Sequence, residues 1–192
     1  MPERFTAEPI AYEVHDCWIG KVSIARSATG VCGIFLGDST AELIQEMNDR
    51  FKGALLRPEG ISAENPHPSA VTVLAAVVQV CNAAEIAALR LDLRGTAFQL
   101  KVWQQLSRIP SGVTQTYSEV ASAIGQPTAA RAVASACSAN PVAVVIPCHR
   151  VTAAHGALGG YRWGTERKRL LLQAERLALL GSAPTETLPQ SE

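Results

Sequence analysis

The sequence predicts a mixed α/β (α+β) protein: a small N-terminal α/β subdomain, then a mainly helical C-terminal subdomain with a helix-turn-helix. Three observations predict it. Apolar alternation of period two is confined to the N-terminal half. Ser39/Glu42, Thr96/Gln99 and Thr116/Glu119 are capping-box pairs, each opening a stretch suited to a helix. Between Tyr117 and Cys137 a short helical pattern, a Gly-containing turn and a second helical pattern follow one another.

The elements follow in order. Tyr12 to Leu36 reads as β: Lys21–Arg26 and Val31–Phe35 alternate, with Ser27-Ala28-Thr29-Gly30 as the turn between them. After the Ser39 cap, Leu43, Ile44, Met47 and Phe51 recur at helical spacing. Residues 53–69 are rich in Gly, Pro, Ser and Asn and predict a loop. Val71 to Asn82 predicts an apolar helix. Leu89, Leu91 and Leu93 alternate with Arg90, Asp92 and Arg94, which predicts a last strand. A boundary at Asp92-Leu93-Arg94-Gly95 separates a subdomain over 1–94 from one over 95–180.

In the second subdomain Phe98, Val102 and Leu106 share one helical face, and Ile109-Pro110-Ser111-Gly112 ends that helix. Tyr117 to Ile124 forms the next helix, with Gly125 suited to follow its C-terminus. Ala129 to Cys137, nearly all small residues with the single Arg131, forms the second helix of the pair. Its small face suits close approach to a duplex backbone, or equally close packing in a core. Asn140-Pro141 then turns the chain into Val144-Val145-Ile146, which reads as a buried strand that Pro147 ends. His155 to Gly164 is a Gly-rich loop with aromatics, able to wall a pocket for a flat ring. Thr165 caps a last helix, Glu166 to Leu180, whose basic run Arg167-Lys168-Arg169 reads as a solvated face and whose Glu175 falls on or beside the apolar side. The tail, 181–192, has no periodicity and is expected to be disordered.

Composition narrows the function. Of 192 residues 47% are hydrophobic, which excludes disorder for most of the length. No apolar run reaches membrane-spanning length, and the N-terminus does not read as a signal peptide. The five cysteines, Cys17, Cys32, Cys81, Cys137 and Cys148, form no C-x-x-C pair, which points to reduced thiols in the cytoplasm. Cys17 and Cys32 with His15 or His67 have no metal-ligand spacing, so no metal is expected. Residues 1–94 carry 8 Lys and Arg against 12 Asp and Glu; residues 95–192 carry 9 against 5. The basic half is the one able to attract a polyanion.

That half also holds Pro147-Cys148-His149-Arg150. A thiol at a strand end beside an imidazole and a guanidinium suits a nucleophile, because nearby positive charge lowers a thiol's pKa. A buried, inert cysteine is the alternative reading of the same residues. The block from Gly95 to Leu180 resembles the O6-alkylguanine-DNA alkyltransferases, also called methylated-DNA–protein-cysteine methyltransferases. Thr96-Ala97-Phe98-Gln99, Val102-Trp103, Ile109-Pro110-Ser111-Gly112, Arg131-Ala132-Val133, Ala139-Asn140-Pro141, Ile146-Pro147-Cys148-His149-Arg150-Val151 and Gly160-Tyr161 occur in the family's order and spacing. Arg162-Trp163-Gly164 makes Ada-type members the nearest match, and residues 10–94 resemble the family's N-terminal subdomain more loosely.

The resemblance implies double-stranded DNA containing O6-alkylguanine as partner, and a single irreversible alkyl transfer to Cys148. It implies His149 and Glu175 as a relay behind the thiol, Asn140 as a brace, and Tyr117 as proton donor to the departing guanine. Arg131 would take the space of the flipped nucleotide. Ala129, Ala130 and Ser135 would lie with it on the DNA-binding helix, which the family places in the minor groove. Val151, Tyr161 and Arg162 would line the guanine pocket with Asn140. The family's N-terminal zinc ligands have no match here, so neither zinc nor any cofactor is expected, and the chain should act as a monomer away from membranes. Three rivals remain: the alkyltransferase part of an Ada-like adaptive-response regulator, a non-catalytic module that recognises alkylguanine, and a thiol hydrolase using the Cys/His/Glu set.

Overall fold

The computed structural model describes residues 8–59 and 89–181. The expected helix Val71–Asn82, most of the expected 53–69 loop and the tail beyond Gly181 lie outside the described residues. The chain divides into two compact units between Arg94 and Gly95.

In the first unit β1 (Pro9–Cys17), β2 (Gly20–Arg26) and β3 (Val31–Gly37) form an antiparallel meander, with Tyr12 opposite Ala25 and Ile24 opposite Ile34. The Ser27–Gly30 turn closes through Ser27 N–H to the Gly30 carbonyl at 3.0 Å. Helix α1 (Thr40–Arg50) starts at the Ser39/Glu42 capping box and buries Leu43 and Met47. The expected loop contains a strand, β4 (Leu55–Pro58), parallel to β1, giving the order β3-β2-β1-β4. Pro58 is tolerated because β4 is an edge strand, and four residues are too few to show a period. Conversely, the strand expected at Leu89–Leu93 is reduced to one bridge, Val31 to Leu91, among the described residues. Its charged positions are tied by side chains instead: Asp92 accepts from Ser27 Oγ at 2.7 Å and from Arg94 at 2.8 Å. A buried pair, Glu13–Arg26 at 2.7 Å, ties β1 to its neighbour β2.

The second unit holds α2 (Ala97–Leu106), β5 (Gln115–Thr116), α3 (Tyr117–Ala123), α4 (Ala130–Ser138), a one-turn 3-10 helix (Cys148–Arg150), β6 (Val151–Thr152) and α5 (Thr165–Leu179). Both expected capping boxes form, at Thr96 and Thr116. Helix α2 buries Val102, Trp103 and Leu106, and the Trp103 indole donates to the Ala136 carbonyl of α4 at 2.8 Å. Helix α3 ends in a Schellman motif: Gln126 N–H to the Ala121 carbonyl and Gly125 N–H to Ser122, both 2.9 Å, with Gly125 at φ 73°. This fixes the turn into α4. Strands β5 and β6 pair in parallel, bringing the start of α3 beside Val151. Helix α5 begins at Thr165 itself. Gly164, at φ 94°, is its N-cap, without the side-chain cap expected from Thr165.

Candidate active site

The run expected to be a strand is buried but is not a strand. Val142 to Ile146 are at most 5% exposed. Val145 N–H donates to the Ala143 carbonyl at 2.6 Å across Val144, whose φ is 65°. This is a γ-turn of the rare, positive-φ kind. A second three-residue turn follows at Pro147 (φ −81°, ψ 61°), closed by Cys148 N–H to the Ile146 carbonyl at 2.8 Å. Asn140 takes the place of a ladder partner. Its Oδ1 accepts from Val142 N–H at 3.0 Å. Its Nδ2 donates to the carbonyls of Ile146 (2.8 Å) and Val142 (3.3 Å) and to Cys148 Sγ (3.2 Å). The β-branched run is therefore satisfied from within, and the thiol arrives at the head of the 3-10 turn, held on one side by an amide.

Cys148 is 4% exposed. Burial pushes its thiol up to about 11, against the Asn140 hydrogen bond and the Lys168 charge, which pull it down. Behind it the fully buried His149 shares a proton with Glu175 Oε1 through Nε2 at 2.7 Å. Arg150 donates to the same oxygen from Nε at 2.9 Å and from Nη2 at 2.8 Å, and to the Ile109 carbonyl at 2.6 Å. Glu175 Oε2 accepts from Gly112 N–H at 2.9 Å. Burial alone would raise the Glu175 carboxyl; the hydrogen bond and charge of His149, then those of Arg150, reverse this and hold it at about 2. An ionised Glu175 requires the proton on Nε2, which leaves Nδ1 of His149 as a lone pair. Nδ1 is buried and has no hydrogen-bond partner. Burial also holds the imidazole below its ordinary value despite Glu175, so it is a neutral base at pH 7.

The basic run of α5 is not the solvated face expected of it. Lys168 is fully buried and Arg167 nearly so. Lys168 Nζ donates to the carbonyls of Val151 (2.6 Å), Gly160 (3.2 Å) and Leu158, and Arg167 to that of Trp163 at 3.0 Å. These bonds fasten the Gly-rich loop to α5. Lys168 was missed from sequence, although it shares a helical face with Leu171 and Glu175, three and seven residues on.

The remaining site residues fall into two groups. Tyr117, first residue of α3, is half-buried, with its hydroxyl 3.5 Å from the Gly160 carbonyl; burial raises its pKa. Tyr161 keeps its hydroxyl buried without a partner and sets its ring edge-on to Trp163 at 5.2 Å. Arg162 is exposed, and Val151 is fully buried with its carbonyl on Lys168. Arg131 and Ser135 lie one turn apart on the exposed side of α4, while Val133, Ala136 and Cys137 face inward. Ala129 and Ala130 are half-buried at its start. These four take no part in the Asn140–Cys148 and His149–Glu175–Arg150 hydrogen bonds. Among the described residues no three His, Cys, Asp or Glu side chains could hold a metal ion, and no helix is long and apolar enough to cross a membrane.

A buried thiol, a neutral imidazole with one free nitrogen and a carboxylate that orients it have the geometry suited to a nucleophile–base–orienter set. Comparison with known proteins gives the family. A family model described as 6-O-methylguanine DNA methyltransferase, DNA binding domain, matches residues 97–177. The bifunctional transcriptional activator/DNA repair enzyme Ada of Escherichia coli is 43% identical over 166 residues, covering 86% of this chain and 45% of Ada. This chain spans about half the length of the curated relatives it matches. The crystal structure of Mycobacterium tuberculosis OGT in complex with DNA superposes with a TM-score of 0.67 at 32% identity, covering 91% of this chain and 96% of that one. The O6-methylguanine-DNA methyltransferase of Pyrococcus kodakaraensis KOD1 gives 0.69 at 27% identity, over 86% and 98%. The thiol network lies inside the matched segment, and the likeness extends over nearly the full length of a relative with a third of its residues identical: the chain belongs to the O6-methylguanine-DNA methyltransferase family.

Proposed function

We propose that this chain repairs DNA by taking the alkyl group of O6-alkylguanine onto Cys148, once per molecule. The observation that carries the reading is the Cys148 thiol held by Asn140 next to His149, whose other nitrogen is fixed by Glu175. A free thiol, with a pKa of roughly 8.5, is only slightly ionised at neutral pH, and burial makes this one weaker still. Attack on an alkyl carbon therefore needs the proton removed. His149 Nδ1 accepts it, directly or through a water, and Glu175 stabilises the imidazolium. The thiolate is met by the Asn140 amide and the Lys168 charge.

A bond forms from Sγ to the alkyl carbon as the bond from that carbon to guanine O6 breaks. The electron pair stays on the guanine, and Tyr117 supplies a proton to it. The target carbon is out of reach in a stacked duplex, so the nucleotide must flip out at a cost of a few kcal/mol. Arg131, exposed on α4, fills the gap, and Ala129, Ala130 and Ser135 let the helix approach the duplex. DNA as partner is supported by the M. tuberculosis relative, solved in complex with DNA. Tyr161, Arg162, Val151 and Asn140 form the base pocket. It acts as a monomer in this reading, and a reaction that consumes a free thiol suits a reducing compartment, the cytoplasm. No step returns the thioether to a thiol.

Intact-protein mass spectrometry after mixing with a methylated duplex tests this. One methyl group per molecule, on Cys148, is expected, and Cys148→Ser should bind the duplex and accept none. Methylation of another cysteine, or none at all, overturns the reading.

A further inference from the structure

The loop from Ala157 to Gly164 carries Tyr161 but has little stiffness of its own. It contains no helix or strand, and Gly159 and Gly164 sit at φ 67° and 94°, a region that favours glycine. Lys168 and Arg167 hold its carbonyls at Leu158, Gly160 and Trp163, all from α5. Arg162 reaches to a different element. Its Nη1 donates to the Ser138 carbonyl, on the last residue of α4, at 3.1 Å. The last four carbonyls of a helix have no partner within it and carry the negative end of its dipole, so a guanidinium there is doubly suited. The same guanidinium lies 6.0 Å from the centroid of the Trp163 ring, at the outer limit of a cation–π contact. Trp163 is 4% exposed and stands edge-on to Tyr161. Two residues beyond Ser138 is Asn140, which donates to Cys148 Sγ.

One side chain thus touches both the aromatic wall of the pocket and the helix end that leads into the thiol's brace. We infer that Arg162 is a positioning residue for alkyl transfer: it keeps the Tyr161–Trp163 wall in register with the C-terminal end of α4, so that the base resting on that wall presents its alkyl carbon to Cys148. The inference rests on the proposed alkyl transfer. Its competitor is a plain phosphate contact, since Arg162 is exposed and positive. The two differ in what they control. A wall out of register slows the bound complex, on duplex and free base alike. A phosphate contact sets duplex affinity and its salt dependence.

The test measures transfer rates at saturating substrate, for methylated duplex and for free O6-alkylguanine base, with duplex affinity measured against salt. Arg162→Ala should lose about tenfold in limiting rate on both substrates, the scale of one charge-assisted hydrogen bond. Its duplex affinity and salt slope should stay at wild-type values. Arg162→Lys keeps a cationic donor for Ser138 without the planar stack, and should recover to within about threefold of wild type. An unchanged limiting rate for Arg162→Ala overturns the inference. So does weaker duplex binding with a salt slope reduced by about one and the limiting rate intact, which marks a phosphate contact. Should Arg162→Ala fail to fold, Arg162→Met, which keeps an unbranched stem without the charge or the donor, decides by the same two readouts: a reduced limiting rate at unchanged duplex affinity supports positioning, and a wild-type rate refutes it. If wild type itself takes no alkyl group from either substrate, the proposed function fails first, and the two failures are told apart.

Discussion

Glu175→Gln replaces one oxygen with an amide nitrogen and removes one charge from beneath the site. Three neighbours of Glu175 donate to it: His149 and Arg150 on Oε1, Gly112 on Oε2. A Gln offers one acceptor oxygen. If that oxygen keeps His149 and Arg150, the amide nitrogen meets the Gly112 N–H head-on. Arg150, 9% exposed, also loses its counter-charge. Breaking one side of a buried ion pair costs about 3–5 kcal/mol. The acidity of Glu175 gives a second route to the number: a fall from 4.5 to about 2 corresponds to about 3 kcal/mol of stability. The folded value lies below the unfolded one, so this stability is present in full above pH 4.5 and is lost as pH falls toward 2. The wild type should exceed the variant by about 3 kcal/mol at pH 7, and the gap should close between pH 4.5 and 2. Urea unfolding of both proteins at a series of pH values measures it. Transfer supplies an independent readout. Without the carboxylate the imidazolium is less stable, so the rate profile should move to higher pH while duplex affinity holds. A stability gap that does not change with pH, or an unmoved rate profile, would refute the reasoning.

Asn140→Ala removes an amide that serves four partners and should destabilise by about 2–4 kcal/mol in thermal or urea melts, because buried backbone groups lose their partners. It should also push the Cys148 thiol further up, seen as slower reaction with a small alkylating reagent at each pH; a wild-type profile would mean the Nδ2–Sγ contact is inert. Arg131→Ala should impair transfer from duplex far more than from free alkylguanine base, by at most a few kcal/mol, because only the duplex must extrude its base. Equal losses on both substrates would assign Arg131 to the fold or the pocket.

The helices were legible because their signals are local. Ser39, Thr96 and Thr116 each form the capping box their spacing announces, and Gly125 ends α3 as expected. Pro147-Cys148-His149-Arg150 singled out the stretch where the structure gathers side chains: Cys148 meets Asn140, and His149 and Arg150 meet Glu175. What failed was what depends on distant partners. Lys168 sits between two arginines and so reads as solvated, but its ammonium finds carbonyls 17, 10 and 8 residues earlier in the chain. The alternation at Leu89–Leu93 reads as a strand, but Ser27, on the meander, claims Asp92.

The largest misreading, a strand at Val144–Ile146, shows how the site is built. A β-branched run bounded by Pro is ordinary strand grammar, and a positive φ at Val144 is about the last conformation its side chain favours. That conformation costs on the order of 1–2 kcal/mol. Asn140 answers with two backbone bonds at Val142 and one at Ile146, on either side of the strained residue. At a net 0.5–1.5 kcal/mol or so each, three such bonds match or exceed the strain, beside the backbone bonds from Val145 to Ala143 and from Ile146 to Val142 that close the turn. A strand could satisfy the same backbone, but it would carry Ile146 and Cys148 away from Asn140 in an extended line. The turn folds them back, so that one amide nitrogen spans the Ile146 carbonyl and Cys148 Sγ. The fold-back at Val144 and the placement of the thiol thus meet in a single side chain, Asn140, whose amide nitrogen reaches both the Ile146 carbonyl and Cys148 Sγ.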